Sequence, residues 1–441
     1  MPLTPEGHAA LSAALLPLVG LQHSRLQEAS RRAPFSDLIE VCIRLFPAQV
    51  GVNRDGQSSR EDVRWGLLHL FETTGVPTAA TAGVIAQTIA DAIMASGGER
   101  VHLCPLDEAD TLPRMRFGPC EVRTFTEAEF AQVIQHDRLR RRFPSLRLDI
   151  GAFTRFDWLV VHEPVTFGAT LAGRSGIFRL LDFRMDRDFG AIQPFARKWP
   201  DLVEKAVFAL LLLPWEDMVQ HPDINWCGFH IPWVYSVPAD LLEAPSRPLG
   251  PETLTWEPDF YFEPALGEEV ETEKPFHLPL NDDLEPYFAA LTEDRWQSLL
   301  RAQDSPVFNP LVVHFLVRAF TAEGIDEFLG HITAIEAAMG MPSDYGADRA
   351  KPRAKKGGPR GSECVKRRIA ALAGDAGLAD SYGQLFQLRS TFLHGRPMDD
   401  IPSAARVQAR TLARQIVELL VQAAIATRTP DRNSFLAALC P

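Results

Sequence analysis

The sequence predicts an α+β N-terminal region followed by an all-α helical bundle at the C-terminus. Three observations carry this expectation. Apolar residues recur at helical spacing over the first ninety-seven positions. Between Val101 and Val237 they give way to short runs rich in β-branched and aromatic residues, bounded by Gly and Pro. Beyond Pro310 the helical period returns and the strand-like runs stop.

Residues 1–98 read as a helical unit. Leu11, Leu15, Leu18 and Leu21 mark one helix, and Leu38, Val41, Cys42 and Leu45 a second. A third is expected from Ser59 to Thr73 and a fourth from Ala79 to Ala95, closed by Gly97-Gly98.

Residues 99–237 read as an α+β domain. Strands are expected at Val101–Leu106, Met115–Gly118, Glu121–Phe125, Phe156–His162, Ile177–Phe183 and Asn225–Val237. Thr126 followed by Glu129 is the spacing of a capping box, so a helix starts there. Residues 201–213 read as a buried helix. His102, His162, His221 and His230 fall in or beside this unit, but no His-x-x-x-His spacing joins them, which favours structural histidines over metal ligands. The run Arg138-Leu-Arg-Arg-Arg142 reads as a solvated helix face or loop.

Residues 238–309 are rich in proline and acids, with Arg247 and Lys274 as cations as far as Pro275. They read as an extended linker followed by a connecting helix at about 283–303. Residues 310–441 carry helices at 311–322 and 325–340, a short one at Lys366–Leu372, one ending near Leu393, and a last one from Ser403 to about Thr427. In the second, Ile325, Phe328, Leu329, Ile332, Ile335 and Met339 share a stripe with Glu336 beside it.

Composition limits the function classes. With 46% hydrophobic and 23% charged residues the chain reads as globular, and its longest apolar run, Ala206–Leu213, is far short of a membrane span. Six scattered cysteines, with no Cys-x-x-Cys pair and no basic-then-apolar start, point to reduced thiols in a cytoplasmic protein with no structural zinc. No Gly-x4-Gly-Lys or Gly-x-Gly-x-x-Gly motif suggests a nucleotide cofactor. The net charge of −12 is uneven: residues 310–441 hold 17 Lys/Arg and 13 Asp/Glu, the rest 28 and 44. A basic unit on an acidic chain is a candidate for binding an acidic partner.

The chemistry concentrates at Arg389-Ser-Thr-Phe-Leu-His394, the end of an amphipathic helix with Leu385, Leu388 and Phe392 as apolar positions, closed by Gly395 and Pro397 as helix stop signals. On an ideal helix Arg389 and His394 lie about 140° apart, so they are not simple face neighbours. Both can still line one cleft if the last turn unwinds and a partner helix lies across it. The spacing by itself is weak: with 38 Arg and 12 His, about one Arg-x4-His pair arises by chance. A second does occur, Arg64 and His69, and reads as an exposed Arg with a half-buried His. The pair at 389 and 394 differs in its setting, among helices and beside nine basic residues between Arg349 and Arg368.

That setting resembles the Apea-like branch of the HEPN families, small helical domains marked by an Arg-x4-6-His motif at a helix end. The matching stretches are Ile332-Thr-Ala-Ile-Glu336, the basic loop, Lys366-Arg-Arg-Ile369, Leu385 to Gly395, and the final helix, about residues 310–430. Residues 100–237 resemble the regions found ahead of such domains in other bacterial proteins, which implies a sensor or regulatory role for the α+β domain at 99–237 and for residues 1–309 as a whole. Ser390 departs from the amide or acid that many HEPN ribonucleases carry after the Arg.

The resemblance implies a metal-independent endoribonuclease, a bacterial antiphage or toxin-like effector. Its candidate catalytic residues are Arg389, Ser390, His394 and Glu336. Lys351, Arg353, Lys355, Lys356, Arg360, Lys366, Arg367 and Arg368 would attract the RNA backbone. The residue types suit the task. Imidazole titrates near neutrality and moves protons, while guanidinium keeps its charge and matches phosphate geometry. The implied partners are single-stranded RNA, a second copy through the HEPN domain, and a phage or host trigger, protein or nucleic acid; no cofactor, metal or membrane is implied. The alternatives are a non-catalytic HEPN module that binds RNA or protein, and an unrelated helical protein in which Arg389 is salt-bridged and His394 caps a helix.

Overall fold

The structure, a computed structural model, describes residues 3–51, 59–174, 190–193, 195–263, 267–345, 361–427 and 431–440. It is a mixed α/β protein with a helical C-terminal region. The expected strand at 177–183 and the basic run 349–360 lie outside the described residues.

The N-terminal helices are α1 (Pro5–Leu15), α2 (Phe35–Leu45), α3 (Arg60–Thr74) and α4 (Ala82–Met94). Leu11, Leu15, Leu38, Cys42, Leu70, Phe71 and Ile89 close a core of their own between them. Gly97 and Gly98 do not simply end the fourth helix. They open the first strand instead.

The sheet has five strands: β1 (Gly97–Leu106), β2 (Met115–Phe117), β3 (Cys120–Arg123), β4 (Asp157–Thr166) and β5 (Tyr235–Val237). Their order is β2-β3-β4-β1-β5, and each neighbouring pair is antiparallel. The run 225–237 yields the three residues of β5 and an isolated bridge of His230 to Asp107, with Pro232, which cannot donate to a ladder, between them. Helices α5 (Glu127–Val133) and α6 (His136–Arg142) follow β3. The capping box forms as expected: Glu129 N donates to Thr126 Oγ1 at 3.3 Å and Thr126 N donates to Glu129 Oε2 at 2.8 Å. The Thr126 backbone N–H and hydroxyl, both donating to the Glu129 carboxylate, with Arg123, pull that carboxyl down to about 2.

Period-2 alternation splits the sheet between two cores. Leu103, Trp158, Val160 and Tyr235 pack on one face with Phe130 and Phe153. Cys104, Leu106, Leu159 and Val161 face the other way, onto α7 (Asp201–Leu211). That second core is continuous with the C-terminal helices, so the α+β and helical regions share one interior.

Residues 238–309 differ from an extended linker. They contain a second, two-stranded antiparallel sheet, β6 (Trp256–Glu263) with β7 (Glu268–Pro275), and helix α8 (Glu293–Gln303), whose Trp296 and Leu299 join the shared core. The C-terminal helices are α9 (Leu311–Phe320), α10 (Gly324–Met339), α11 (Gly361–Ala373), α12 (Ala376–Leu393), α13 (Ser403–Ala426) and α14 (Arg432–Ala438), the last not foreseen in the sequence. Helices α9 and α10 approach closely at Gly330, where an added Cβ would stand 2.9 Å from the Cβ of Ala319. Ile332, Ile335 and Met339 of α10 share the core with Ile416, Val417 and Leu420 of α13.

Candidate functional site

Helix α12 ends where the sequence says it should. Gly395 has φ +60°, its N–H donates to Phe392 O at 3.0 Å, and Arg396 N donates to Thr391 O at 3.1 Å. This Schellman closure satisfies the last carbonyls and leaves His394 as the cap residue, exposed, at φ −90°. Phe392, expected on the apolar face, is instead 41% exposed, and Leu393 is 52% exposed.

Arg389 and His394 open on different sides of the helix. Arg389 Nη2 lies 3.3 Å from Glu336 Oε2 on α10, and its guanidinium stands 5.5 Å from the Phe386 ring centroid. The two charges line a cleft of about 490 Å³ with Thr333, Met341 and Pro342. Burial pushes the Glu336 carboxyl up, and Arg389 partly opposes it. His394 faces the other way with Ser390, four residues earlier and so on the same face. They line a broader depression of about 1020 Å³ between α11 and α12, with Gly361, Lys366 and Gln387 on its walls. One copy thus brings Ser390 to His394 and Glu336 to Arg389, but does not bring the two pairs together.

The cations expected to meet RNA divide three ways. Lys351, Arg353, Lys355, Lys356 and Arg360 lie outside the described residues. Lys366 Nζ lies 3.2 Å from Asp380 Oδ1, and Arg367 Nε lies 3.5 Å from Glu363 Oε1, both at the surface. Arg368 corrects the expectation. It is 4% exposed and donates to Asp344, to Met339 O at 2.9 Å and to Leu436 O at 3.1 Å. Its bonds tie α11 to α10 and α14, and its burial keeps it from a phosphate.

The other basic and histidine features are structural. Arg64 and His69 are both 5% exposed, not exposed and half-buried as the sequence suggested. Arg64 bonds Glu61 and stacks over Trp65, while His69 and Arg142 meet on Glu72. Arg138 is buried and Arg141 donates to Glu72 O and Thr73 O, so the arginine run docks α6 on α3 and leaves Arg140 exposed. His102, His162 and His230 sit with Glu163, Glu99 and Glu108 respectively.

One polar centre escaped the sequence reading. Where α10 and α13 meet the loop after α7, Glu327 accepts from Trp226 Nε1 and, at 2.6 Å, from Arg406 Nη2. Arg410, 0% exposed, stacks 4.6 Å from the Trp226 ring centroid and donates to Leu211 O. Arg414 Nε donates to Glu216 at 2.8 Å. His331 is fully enclosed beside Glu327, and burial, then Arg410 and Arg406, holds its imidazole well below the usual range. The signal was present: Glu327 and His331, then Arg406, Arg410 and Arg414, repeat every four residues on one helix face each.

No protein-family model, curated protein or solved structure matches this chain. Among the described residues no helix is long and apolar enough to cross a membrane.

Proposed function

We propose that the protein is a metal-independent endoribonuclease of HEPN type, acting as a bacterial antiphage or toxin-like effector, with residues 1–309 as sensor or regulator. The observation that carries the reading is the end of α12. There an exposed imidazole stands beside Ser390, with exposed Phe392 and Leu393 next to it and Arg389 one face away. Exposed apolar side chains at a polar site suit an interface, and a second copy docked there would supply the missing half of the site across a twofold axis.

In that arrangement the RNA supplies its own nucleophile. His394 moves the proton from the 2′-hydroxyl or onto the leaving 5′-oxygen, and Arg389 stabilises charge on the phosphoryl oxygens. The products are a 2′,3′-cyclic phosphate and a 5′-hydroxyl. Single-stranded RNA fits best, because its backbone can take up the in-line geometry. The test is to incubate the purified chain with mixed RNA, with and without chelator, and to analyse product ends. Cyclic-phosphate ends unaffected by chelator are expected.

A second reading, a non-catalytic HEPN module for RNA or protein binding, is favoured by one observation. Arg389 is already engaged by Glu336 rather than free to meet phosphate. RNA bound without new ends would put that reading first.

A further inference from the structure

The β6–β7 hairpin carries a surface that the nuclease reading leaves unused. Its register places Phe260 opposite Glu271, Phe262 opposite Glu269 and Pro258 opposite Glu273. Directly opposed residues share a face, so one face presents an aromatic row on β6 beside a row of three glutamates on β7. Phe260 and Phe262 are 62% and 61% exposed, and Glu269, Glu271 and Glu273 are exposed as well.

The charge there is unbalanced. Residues 256–275 hold seven carboxylates and one cation, Lys274. Lys274 reaches Glu257 at 3.5 Å and Asp259 at 3.6 Å, both on the opposite face. The hairpin root is fixed: Arg155 lies over Trp256 and donates to Glu273 O at 2.7 Å, and Trp256 meets Phe156 edge-on. Among the described residues, no further strand pairs with either outer edge.

We propose that this hairpin is a docking arm for a basic, extended segment of another protein, added as a strand along the outer edge of β7. A strand carrying Lys or Arg at alternate positions repeats every ~7 Å, the spacing of Glu269, Glu271 and Glu273. Arg155 already takes Glu273 O, so edge addition runs along Glu269 and Glu271 and meets Glu273 through its carboxylate alone. It sets those cations beside the three glutamates, with their aliphatic stems toward Phe260 and Phe262. The same charges rule against other occupants. Nucleic acid and anionic lipid are repelled, and pairing of two hairpins would set like charges opposite each other.

The probe is a fluorescent peptide of about ten residues alternating Lys and Val, titrated by anisotropy against the full chain. A control peptide of the same composition carries its lysines in one block. The alternating peptide is expected to bind, and to bind more tightly than the block peptide. Glu269→Lys/Glu271→Lys/Glu273→Lys should weaken it at least about tenfold and should create binding to an alternating Glu/Val peptide. Phe260→Ser/Phe262→Ser should weaken it without altering its salt dependence. The charge-swapped peptide distinguishes loss of the surface from loss of folding. Equal affinity for the block peptide, or binding untouched by the charge reversal, overturns the proposal. So would self-association lost on the charge reversal, which makes a second copy the occupant. Binding that appears only after Arg349, Lys351, Arg353 and Lys355 are neutralised would make the chain's own basic run the occupant, and overturn it too.

Discussion

Glu336 and Arg389 meet across α10 and α12 at 3.3 Å, and the contact holds the guanidinium on the side of α12 away from His394. Burial alone would push the Glu336 carboxyl further up than it stands, because Arg389 opposes the shift. Arg389→Ala should therefore raise the Glu336 pKa, read from a carboxyl carbon titration by NMR. A raised folded pKa means the native state binds the extra proton. This group's stabilising contribution is thus complete below the unfolded value of about 4.3 and is lost as pH rises through the folded pKa. An unchanged titration would show that the two charges are not coupled.

A second copy should complete the site. One chain leaves Ser390 and His394 on one face and Arg389 on another, with Phe392 and Leu393 exposed at the same helix end. Light scattering should report a dimer, and Phe392→Asp/Leu393→Asp should shift it to monomer while leaving the circular dichroism unchanged. A strict monomer for the parent protein at micromolar concentration counts heavily against a shared site.

Much of this was legible in the sequence, because helix ends and amphipathic stripes are local signals. Gly395 and Pro397 gave the end of α12, and the ideal 100° step showed that Arg389 and His394 are not face neighbours. An unwound last turn could still have brought both to one cleft, and the helical last turn keeps them in two. The failures are non-local. Arg368 reads as one more cation of a basic run, and only the packing of α10, α11 and α14 shows why it is buried. The β6–β7 segment reads as linker because its prolines and carboxylates outweigh strand formers such as Phe260, Tyr261 and Phe262, yet each strand finds a partner across a short loop. Arg406, Arg410 and Arg414 were visible as a repeat, but their partners Glu327, Trp226 and Glu216 come from distant parts of the chain.

His331 should make the fold acid-sensitive. It is enclosed with Glu327, Arg406 and Arg410 as its charged neighbours, and its imidazole is held well below the ordinary value. The unfolded chain therefore takes up a proton that the native state refuses. Stability should fall as pH drops below about 6.5, by roughly 1.4 kcal/mol for each pH unit until the folded pKa is reached. Denaturant melts from pH 7.5 to 5 should show this slope, and His331→Phe should flatten it. A variant with the parent slope would mean that another group sets the acid limit.

The buried ions around Trp226 should respond unequally to removal. Glu327→Ala leaves Arg406 without its carboxylate and the buried Trp226 Nε1 without its acceptor, and a loss of about 3–5 kcal/mol is expected. Arg410→Met should change stability by much less, about 1 kcal/mol or so in either direction, because it removes a charge that was itself costly to bury. Two of its nitrogens, Nε and Nη1, have no hydrogen-bond partner. Urea melts of both variants decide the matter, and comparable losses would show that Arg410 is a structural anchor in its own right.

The catalytic assignment makes the sharpest demand. His394→Ala should abolish RNA cleavage and leave the melting temperature near the parent value, because the side chain is exposed at a helix end. Arg389→Ala should remove most activity, and Arg389→Lys should restore little, since an ammonium cannot present a bidentate fork to phosphate. Chelator should change nothing. The other Arg-x4-His pair is the internal control. Arg64 and His69 are buried against Glu61 and Glu72, so Arg64→Ala and His69→Ala should lower the melting temperature by several degrees while cleavage per folded molecule stays near that of the parent. Cleavage by His394→Ala at the parent rate, in a preparation free of contaminating nuclease, would remove this site from consideration and leave the binding-module reading in its place.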